Sequence, residues 1–279
     1  MAVNELNVFG VVVPIEPDSE HVSYQGAVEG QNVKQALDNL AAGGVNHWKG
    51  KKWYAYGTSL TDTENYPNQP YGWYAKALRD MSGMVMYNKG IAGGGLMRNN
   101  HQIRDAIMNI TDGKTEADLI TLECMINDHH LAFGTVDDLG TNTFLGALAN
   151  CIMYLQQNTT AQIVIIASTE NSRDLAQNMF DDAPTDGSTS VQMIPTYRFP
   201  SDNRTWAERC ELVRLLCEMY GVHFINPAFA IGYYRKPETG GNLYYSDTYH
   251  HTQLGGYVIA EYIWSRLKDI PLWRTALPT

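Results

Sequence analysis

Residues 52–62 read KWYAYGTSLTD. An apolar run ends at Gly57, and Ser59 follows in a short polar turn. A buried strand that ends in this way brings a hydroxyl group to the carboxyl end of a sheet, which is where ligands bind in open α/β folds. The stretch therefore predicts both a sheet strand and a candidate nucleophile. A serine after a strand is more often a helix cap or a turn residue, so the assignment depends on the rest of the chain.

Strand-like and helix-like segments alternate from about residue 47 onward. Apolar, strand-like runs lie at 52–57, 84–88, 118–124, 162–168 and 222–225. Helical periodicity lies at 71–82, 97–110, 141–158, 203–220 and 252–268. This alternation predicts a three-layer α/β/α domain around a mainly parallel five-stranded sheet. Two long polar inserts interrupt the alternation, at 169–201 and 230–246, and loops of this length in a compact domain are usually functional or mobile.

Residues 1–46 differ from the rest of the chain. A short apolar run at 11–14 stops at a proline, a capped helix is predicted at 30–40, and the sequence AAGG at 41–44 resembles a linker. So short a segment cannot bury the apolar face of this helix alone, and it must dock on the main domain or on another copy of the chain. We therefore predict an N-terminal docking or assembly segment at 1–46 and a main domain at 47–279.

Composition excludes several classes of protein. The 279 residues carry a net charge of −10, which argues against a nucleic-acid partner. No apolar run approaches a membrane span and no signal peptide is recognisable, so we expect synthesis in the cytoplasm and no membrane partner. Later incorporation in a virion or an extracellular assembly is left open. The cysteines form no Cys-x-x-Cys pair, which argues against a metal knuckle or a disulfide framework. They are Cys124, Cys151, Cys210 and Cys217.

Near the C-terminus, Asp247 precedes His250 by three residues. A serine nucleophile needs a base and a carboxylate that orients the base, and this pair supplies both. The alternative is a surface acid and a histidine that caps the following helix. His251 is a second candidate base, although the spacing from Asp247 favours His250.

Two further segments end predicted strands. Residues 88–96 read NKGIAGGGL, where the backbone N–H of Gly93 could face a developing anion or lie in a flexible turn. The segment could also bind a phosphate group, but it has neither the Gly-x-Gly-x-x-Gly pattern nor the Gly-Lys-Ser/Thr sequence that phosphate-binding loops carry. Asn127 could donate its amide to the same anion or belong to an Asn-Asp turn. Ser59, Gly93 and Asn127 all follow strands and should meet at one edge of the sheet.

A zinc site is the competing interpretation of the same region. Its ligands would come from Asp128, His129, His130, His250 and His251. Serine chemistry uses the available groups more completely, so we expect neither a metal nor another cofactor.

Four blocks resemble those of the SGNH hydrolases, also called GDSL esterases or lipases. They are residues 57–62 (GTSLTD), 88–93 (NKGIAG), 126–128 (IND) and 247–250 (DTYH). The resemblance covers about residues 50–268 and implies a flavodoxin-like α/β/α fold.

The resemblance also implies roles for individual residues. Ser59, His250 and Asp247 match the catalytic triad, and Ser59, Gly93 and Asn127 match the oxyanion hole. The implied activity is hydrolysis of esters without a cofactor.

The sequence departs from the family pattern at three positions. Thr58 stands where aspartate is more usual, and Met125 stands where a glycine commonly precedes the third block. His251 replaces a frequent proline, whereas Gly255 follows the last block as the family often has. The change at Met125 affects the expected shape of the acyl pocket more than the chemistry.

The expected substrate is a short-chain, acetyl-type ester, and aromatic residues suggest that it is carried on a glycan. Such residues could stack on sugar rings or equally pack their own loop. They are Trp73, Tyr233, Tyr234, Tyr244 and Tyr245. The alternative function is a non-catalytic glycan-binding or structural component of a viral or cell-surface assembly. Residues 20–44 resemble segments of bacteriophage tail and appendage proteins, from which we expect a homo-oligomer, namely a trimer.

Overall fold

A computed structural model describes residues 5–8, 11–14, 46–63, 72–98, 101–110, 116–169, 198–227, 244 and 250–272. The chain divides into two compact units, Met1–His47 and Trp48–Thr279. In the first unit, strands β1 (Glu5–Val8) and β2 (Val11–Pro14) pair in antiparallel register. The sequence shows the apolar run of β2 but does not predict its partner β1. The helix predicted at 30–40 lies outside the described residues.

The second unit alternates strands and helices as the sequence predicts. Its elements are β3 (Lys52–Gly57), α1 (Trp73–Ser82), β4 (Val85–Gly90), α2 (Gln102–Met108), β5 (Leu119–Cys124), α3 (Phe144–Asn158), β6 (Gln162–Ala167), α4 (Trp206–Met219), β7 (His223–Ile225) and α5 (Gln253–Leu267). The strands form one parallel sheet in the order β4-β3-β5-β6-β7. The predicted α/β fold with a five-stranded flavodoxin-like sheet is confirmed.

The strand order reverses between β3 and β5. From β3 the chain first adds β4 on one side, and then β5, β6 and β7 on the other. The ends of β3 and β5 therefore diverge toward helices on opposite sides of the sheet. In open α/β sheets a ligand crevice forms at such a point, outside the carboxyl ends of the strands. The segments that hold Ser59 and Asn127 begin there.

The centre of the sheet forms the core. Every residue of β5 and of β6 is buried, as is typical of parallel strands that are covered on both faces. The buried residues include all four cysteines, and Cys210 and Cys217 lie on the same helix, α4. Within the described part of the chain, no helix has both the length and the apolar character needed to cross a membrane.

Helix α2 differs from its prediction, because it begins at Gln102 rather than at residue 97. His101 has a φ of 62°, in the left-handed region, and a right-handed helix cannot pass through that conformation. The three residues 96–98 donate their backbone N–H groups to the carboxylate of Asp128, which holds them in a loop. A contact with a distant part of the chain thus shortens the helix.

Candidate active site

Ser59 and His250 lie in hydrogen-bond contact. Ser59 follows β3 by two residues, and His250 precedes the start of α5 by three. His250 Nε2 lies 3.0 Å from Ser59 Oγ, within the range that proton transfer to a general base requires. Both residues are partly exposed. The structure thus brings together two predicted site residues that are far apart in sequence, while Asp247 lies outside the described residues.

The neighbouring histidine has a different partner. His251 is 4% exposed, and its Nε2 lies 2.7 Å from Oγ1 of Thr169, a buried residue just after β6. The two consecutive histidines therefore face different groups. This geometry favours His250 over His251 as the base. The sequence offers no signal for Thr169.

Two of the predicted aromatic residues lie against the first turn of α5. A Cβ atom on Gly255 would lie 2.1 Å from the carbonyl oxygen of Tyr244, and a Cβ on Gly256 would lie 2.2 Å from Cβ of Trp73. Glycine is therefore required at both positions for this close approach. These contacts are made by the backbone of Tyr244 and by Cβ of Trp73, at the start of the helix that follows His250. The remaining aromatic candidates, Tyr233, Tyr234 and Tyr245, lie outside the described residues.

The glycine-rich loop after β4 is tied to the end of β3. The backbone N–H of Ile91 donates to the carbonyl of Gly57 at 2.9 Å, and the N–H of Gly94 donates to the carbonyl of Ile91 at 2.9 Å. Between them Gly93 has a φ of 69°, where a side chain would be strained. The sequence therefore needs glycine at this turn for conformational reasons as well as for access.

Asn127 contacts the same loop. Its Nδ2 donates to the carbonyl oxygen of Gly94 at 2.7 Å, which fixes the plane of the amide. Next to it, the buried Asp128 carboxylate accepts three backbone N–H groups from residues 96–98 at 2.8–3.0 Å. A Cβ on Gly95 would lie 2.5 Å from an oxygen of Asp128. The third block therefore holds the glycine loop in place through both of its polar side chains.

These contacts bear on the zinc interpretation. The Asp128 carboxylate is committed to backbone N–H groups, and His250 and His251 contact hydroxyl groups. Across the ranges that the structure describes, no group of three or more His, Cys, Asp or Glu side chains is placed to hold a metal ion.

Met125 adopts a conformation that favours glycine. Its φ is 112°, and its side chain is only 1% exposed. A residue with a side chain in such a region is strained by about 1–3 kcal/mol, which the surrounding packing must offset. The backbone thus keeps the geometry expected of a glycine at this position, although the sequence has methionine there.

A buried carboxyl group lies beneath the nucleophile turn, and the sequence interpretation missed it. Glu123, 1% exposed, accepts hydrogen bonds from the N–H of Thr58 at 2.8 Å and from its hydroxyl at 2.7 Å. Burial raises the pKa of Glu123 above its ordinary value, and the hydrogen bonds from Ser168 and Thr58 oppose this rise. The available signal is one acid within the otherwise uncharged strand sequence LITLEC at 119–124.

A buried arginine supports the turn that follows Asn127. Arg209, on α4, is fully buried and donates to the carbonyl of His129 at 2.7 Å and to Asp202 at 2.8 Å. Its guanidinium also lies over the ring of Phe199, 3.9 Å from the centroid. A cation on the buried face of a predicted helix is the signal that could have marked it.

Comparison with known proteins identifies solved structures of the same fold. No protein-family model matches the chain, and no curated protein matches it. A protein from Lactobacillus plantarum is 21% identical, with a TM-score of 0.60 over 80% of this chain and 99% of that one.

Two other similar structures have names that refer to lipolytic activity. One is a possible lipase from Chitinophaga pinensis, which is 16% identical, with a TM-score of 0.52 over 77% of this chain and 98% of that one. The other is a member of the lipolytic G-D-S-L family from Veillonella parvula, which is 14% identical, with a TM-score of 0.50 over 79% of this chain and all of that one. At these identities the likeness establishes the fold. The resemblance of residues 20–44 to bacteriophage appendage proteins finds no support in these comparisons.

Proposed function

We propose that this chain, whose fold is that of the SGNH (GDSL) hydrolases, is a serine esterase with Ser59 as its nucleophile. The observation that carries the proposal is the 3.0 Å contact between His250 Nε2 and Ser59 Oγ at the switch point of the sheet. A fold alone does not establish activity, whereas a nucleophile in contact with its base has a defined chemistry.

In the proposed mechanism, Ser59 Oγ attacks the ester carbonyl as His250 Nε2 removes its proton. The tetrahedral intermediate then collapses, and the imidazolium returns the proton to the leaving alcohol. Water attacks the acyl-enzyme by the same route and releases the acid. Asp247 is proposed to orient the imidazole and to offset its positive charge, on the basis of its spacing from His250.

Three donors are proposed to stabilise the oxyanion: the backbone N–H groups of Ser59 and Gly93 and the side-chain amide of Asn127. One hydrogen of the Asn127 amide is held by the carbonyl of Gly94. In the proposal, the other hydrogen of that amide donates to the oxyanion. Removal of one such donor typically lowers turnover by about 10²–10³-fold.

The proposed substrates are short-chain, acetyl-type esters on a glycan. The support for a glycan comes from the aromatic residues that follow the nucleophile turn and precede the last block in the sequence, since aromatic rings stack on sugar faces. Two of them, Trp73 and Tyr244, adjoin the first turn of α5 through Cβ and through a backbone carbonyl. No apolar lid helix is apparent in the sequence, which favours short acyl groups over lipids.

Hydrolysis of chromogenic esters tests the proposal. The protein should hydrolyse p-nitrophenyl acetate faster than the octanoate ester, and Ser59→Ala should abolish turnover while the far-ultraviolet circular dichroism spectrum is unchanged. Addition of a chelator should have no effect. Turnover by Ser59→Ala that equals that of the wild type would exclude the serine mechanism. If the wild type instead bound acetylated glycans without cleaving any ester, it would be a binding protein.

A further inference from the structure

We propose that Glu123 is a positioning residue of this site, whose single buried carboxyl group holds the nucleophile turn and the turn that leads into Asn127 in a fixed relation. The inference rests on the proposed function. Glu123 is the penultimate residue of β5, paired with Ile166 of β6, and it lies beside the end of β3, where Tyr56 pairs with Leu122.

One carboxylate oxygen holds the nucleophile turn. Oε2 accepts the backbone N–H of Thr58 at 2.8 Å, its hydroxyl at 2.7 Å and the hydroxyl of Thr61 at 3.3 Å. Thr58 directly precedes Ser59, and its carbonyl accepts the N–H groups of Thr61 and Asp62 at 3.0 Å. Through its contacts with Thr58, Glu123 therefore fixes the orientation of the peptides around the nucleophile.

The other oxygen reaches the turn that carries Asn127. Oε1 is hydrogen-bonded to the hydroxyl of Ser168, which lies just after β6. The Ser168 oxygen also accepts the N–H of Ile126 at 3.2 Å and lies 2.7 Å from the carbonyl of Cys124. Because Ile126 immediately precedes Asn127, Ser168 links the carboxyl group to the backbone that presents the proposed oxyanion amide.

Two features of the sequence make room for this arrangement. A Cβ on Gly57 would lie 2.9 Å from Oε2 of Glu123 and 2.1 Å from Oγ1 of Thr61, so only glycine leaves the space. Thr58 occupies the position where the SGNH pattern more usually has aspartate. Here the carboxyl group comes from β5 instead, and the residue at 58 donates to it rather than supplying it.

The carboxyl group of Glu123 lies in a buried environment. Among the residues that the structure describes, its titratable neighbours include Tyr74, whose hydroxyl lies 2.7 Å from that of Thr61, and Cys124. Burial raises the pKa of each, and the pKa of Glu123 is itself raised by burial. Its hydrogen bonds are therefore made in a dry environment, where loss of an acceptor is costly.

Because the carboxyl group contacts the backbone of the nucleophile turn directly and that of the Asn127 turn through Ser168, its replacement should weaken stabilisation of the transition state more than binding of the ester. Misplacement of reacting groups by about 1 Å costs up to about 10²-fold in rate. A change confined to the transition state lowers kcat and leaves KM unchanged.

The test compares Glu123→Gln with Tyr74→Phe, using p-nitrophenyl acetate as substrate and a boronic acid as an analogue of the tetrahedral intermediate. Tyr74→Phe is the control, because it removes only the hydroxyl that contacts Thr61 and leaves the contact between Thr58 and Glu123 in place. We expect Glu123→Gln to lower kcat at least about 10-fold, leave KM within about twofold, and weaken boronic acid binding by a similar factor to kcat. Tyr74→Phe should keep kcat within about twofold.

Urea unfolding of both variants separates positioning from stability. An unchanged kcat in Glu123→Gln, or losses of kcat in both variants that follow their losses of stability, would overturn the inference. If Glu123→Gln does not fold, Glu123→Asp keeps the carboxyl group with a shorter reach, and it should show the same loss in kcat with KM unchanged. If the wild type hydrolyses no ester, the proposed function fails and this inference fails with it. If the wild type is active and Glu123→Gln matches it, only this inference fails.

Discussion

Replacing His250 and, separately, His251 by alanine should separate activity from stability. The two residues are adjacent, yet His250 Nε2 lies 3.0 Å from Ser59 Oγ, whereas His251 Nε2 lies 2.7 Å from Thr169 Oγ1. The two variants are therefore matched in chemistry and position but differ in the partner that they lose.

The contacts that each variant loses determine the expected changes in kcat and in the free energy of unfolding. A general base in hydrogen-bond contact with its nucleophile contributes about 10²–10⁴ to the rate, so His250→Ala should lower kcat by at least about 10². His250 is partly exposed, and its loss should cost about 1 kcal/mol of unfolding free energy or less. His251→Ala should keep kcat within a few-fold. It leaves the hydroxyl of Thr169, which is 3% exposed, without its histidine partner, at a cost of about 1–3 kcal/mol.

The assays are steady-state hydrolysis of p-nitrophenyl acetate and urea unfolding followed by tryptophan fluorescence. Kinetic constants are compared per folded molecule, so that a less stable variant is not mistaken for a less active one. An inactive His251→Ala beside an active His250→Ala would show that the base is assigned to the wrong residue. Equal losses of kcat in both variants, with stability unchanged, would refute the separation of roles.

Three further predictions concern strain, pH and assembly. Met125→Gly should be at least as stable to urea as Met125→Ala, although glycine ordinarily costs about 0.5–1 kcal/mol more, because a φ of 112° strains alanine; a clearly more stable alanine variant would contradict the positive φ. Burial raises the folded-state pKa of Glu123 above its ordinary value of 4.5, so the folded state holds this proton more tightly than the unfolded chain does. Wild-type stability, relative to Glu123→Gln, should therefore be greatest below pH 4.5 and decline as pH rises through the folded pKa; a relative stability that rises over this range would be the wrong sign. A protein that begins at Val45 should keep its turnover per site but contain fewer chains per particle in light scattering, and an unchanged oligomeric state would exclude an assembly role for residues 1–46.

The parallel sheet could be predicted because its signal is local. Apolar runs such as QIVIIA in β6 alternate with helical periodicity, and burial on both faces accounts for their continuous apolar character. The edge at which Ser59 and Asn127 lie follows from the rule that parallel strands end together. Residue types and strand ends were sufficient for this part of the site.

Other features depend on contacts between residues that are far apart in sequence. Helix α2 starts late because the loop before it bonds to Asp128, about 30 residues further on, and no local pattern shows this. Thr169 meets His251 across 82 positions, and Glu123 meets Thr58 across 65. Glu123 has a weak local signal, since an acid in a buried strand must find donors, but its partners could not be named without the fold.

Covalent labelling of Ser59 tests the central claim most directly. Incubation with a fluorophosphonate, followed by intact-mass and peptide mass spectrometry, should show one adduct per chain, located on Ser59. The adduct should be absent in Ser59→Ala and should form at least about 10²-fold more slowly in His250→Ala, because the reagent reacts only with a serine that a base activates. No adduct on the folded wild-type protein, or an adduct on a different serine, would contradict the assignment of Ser59 as the nucleophile.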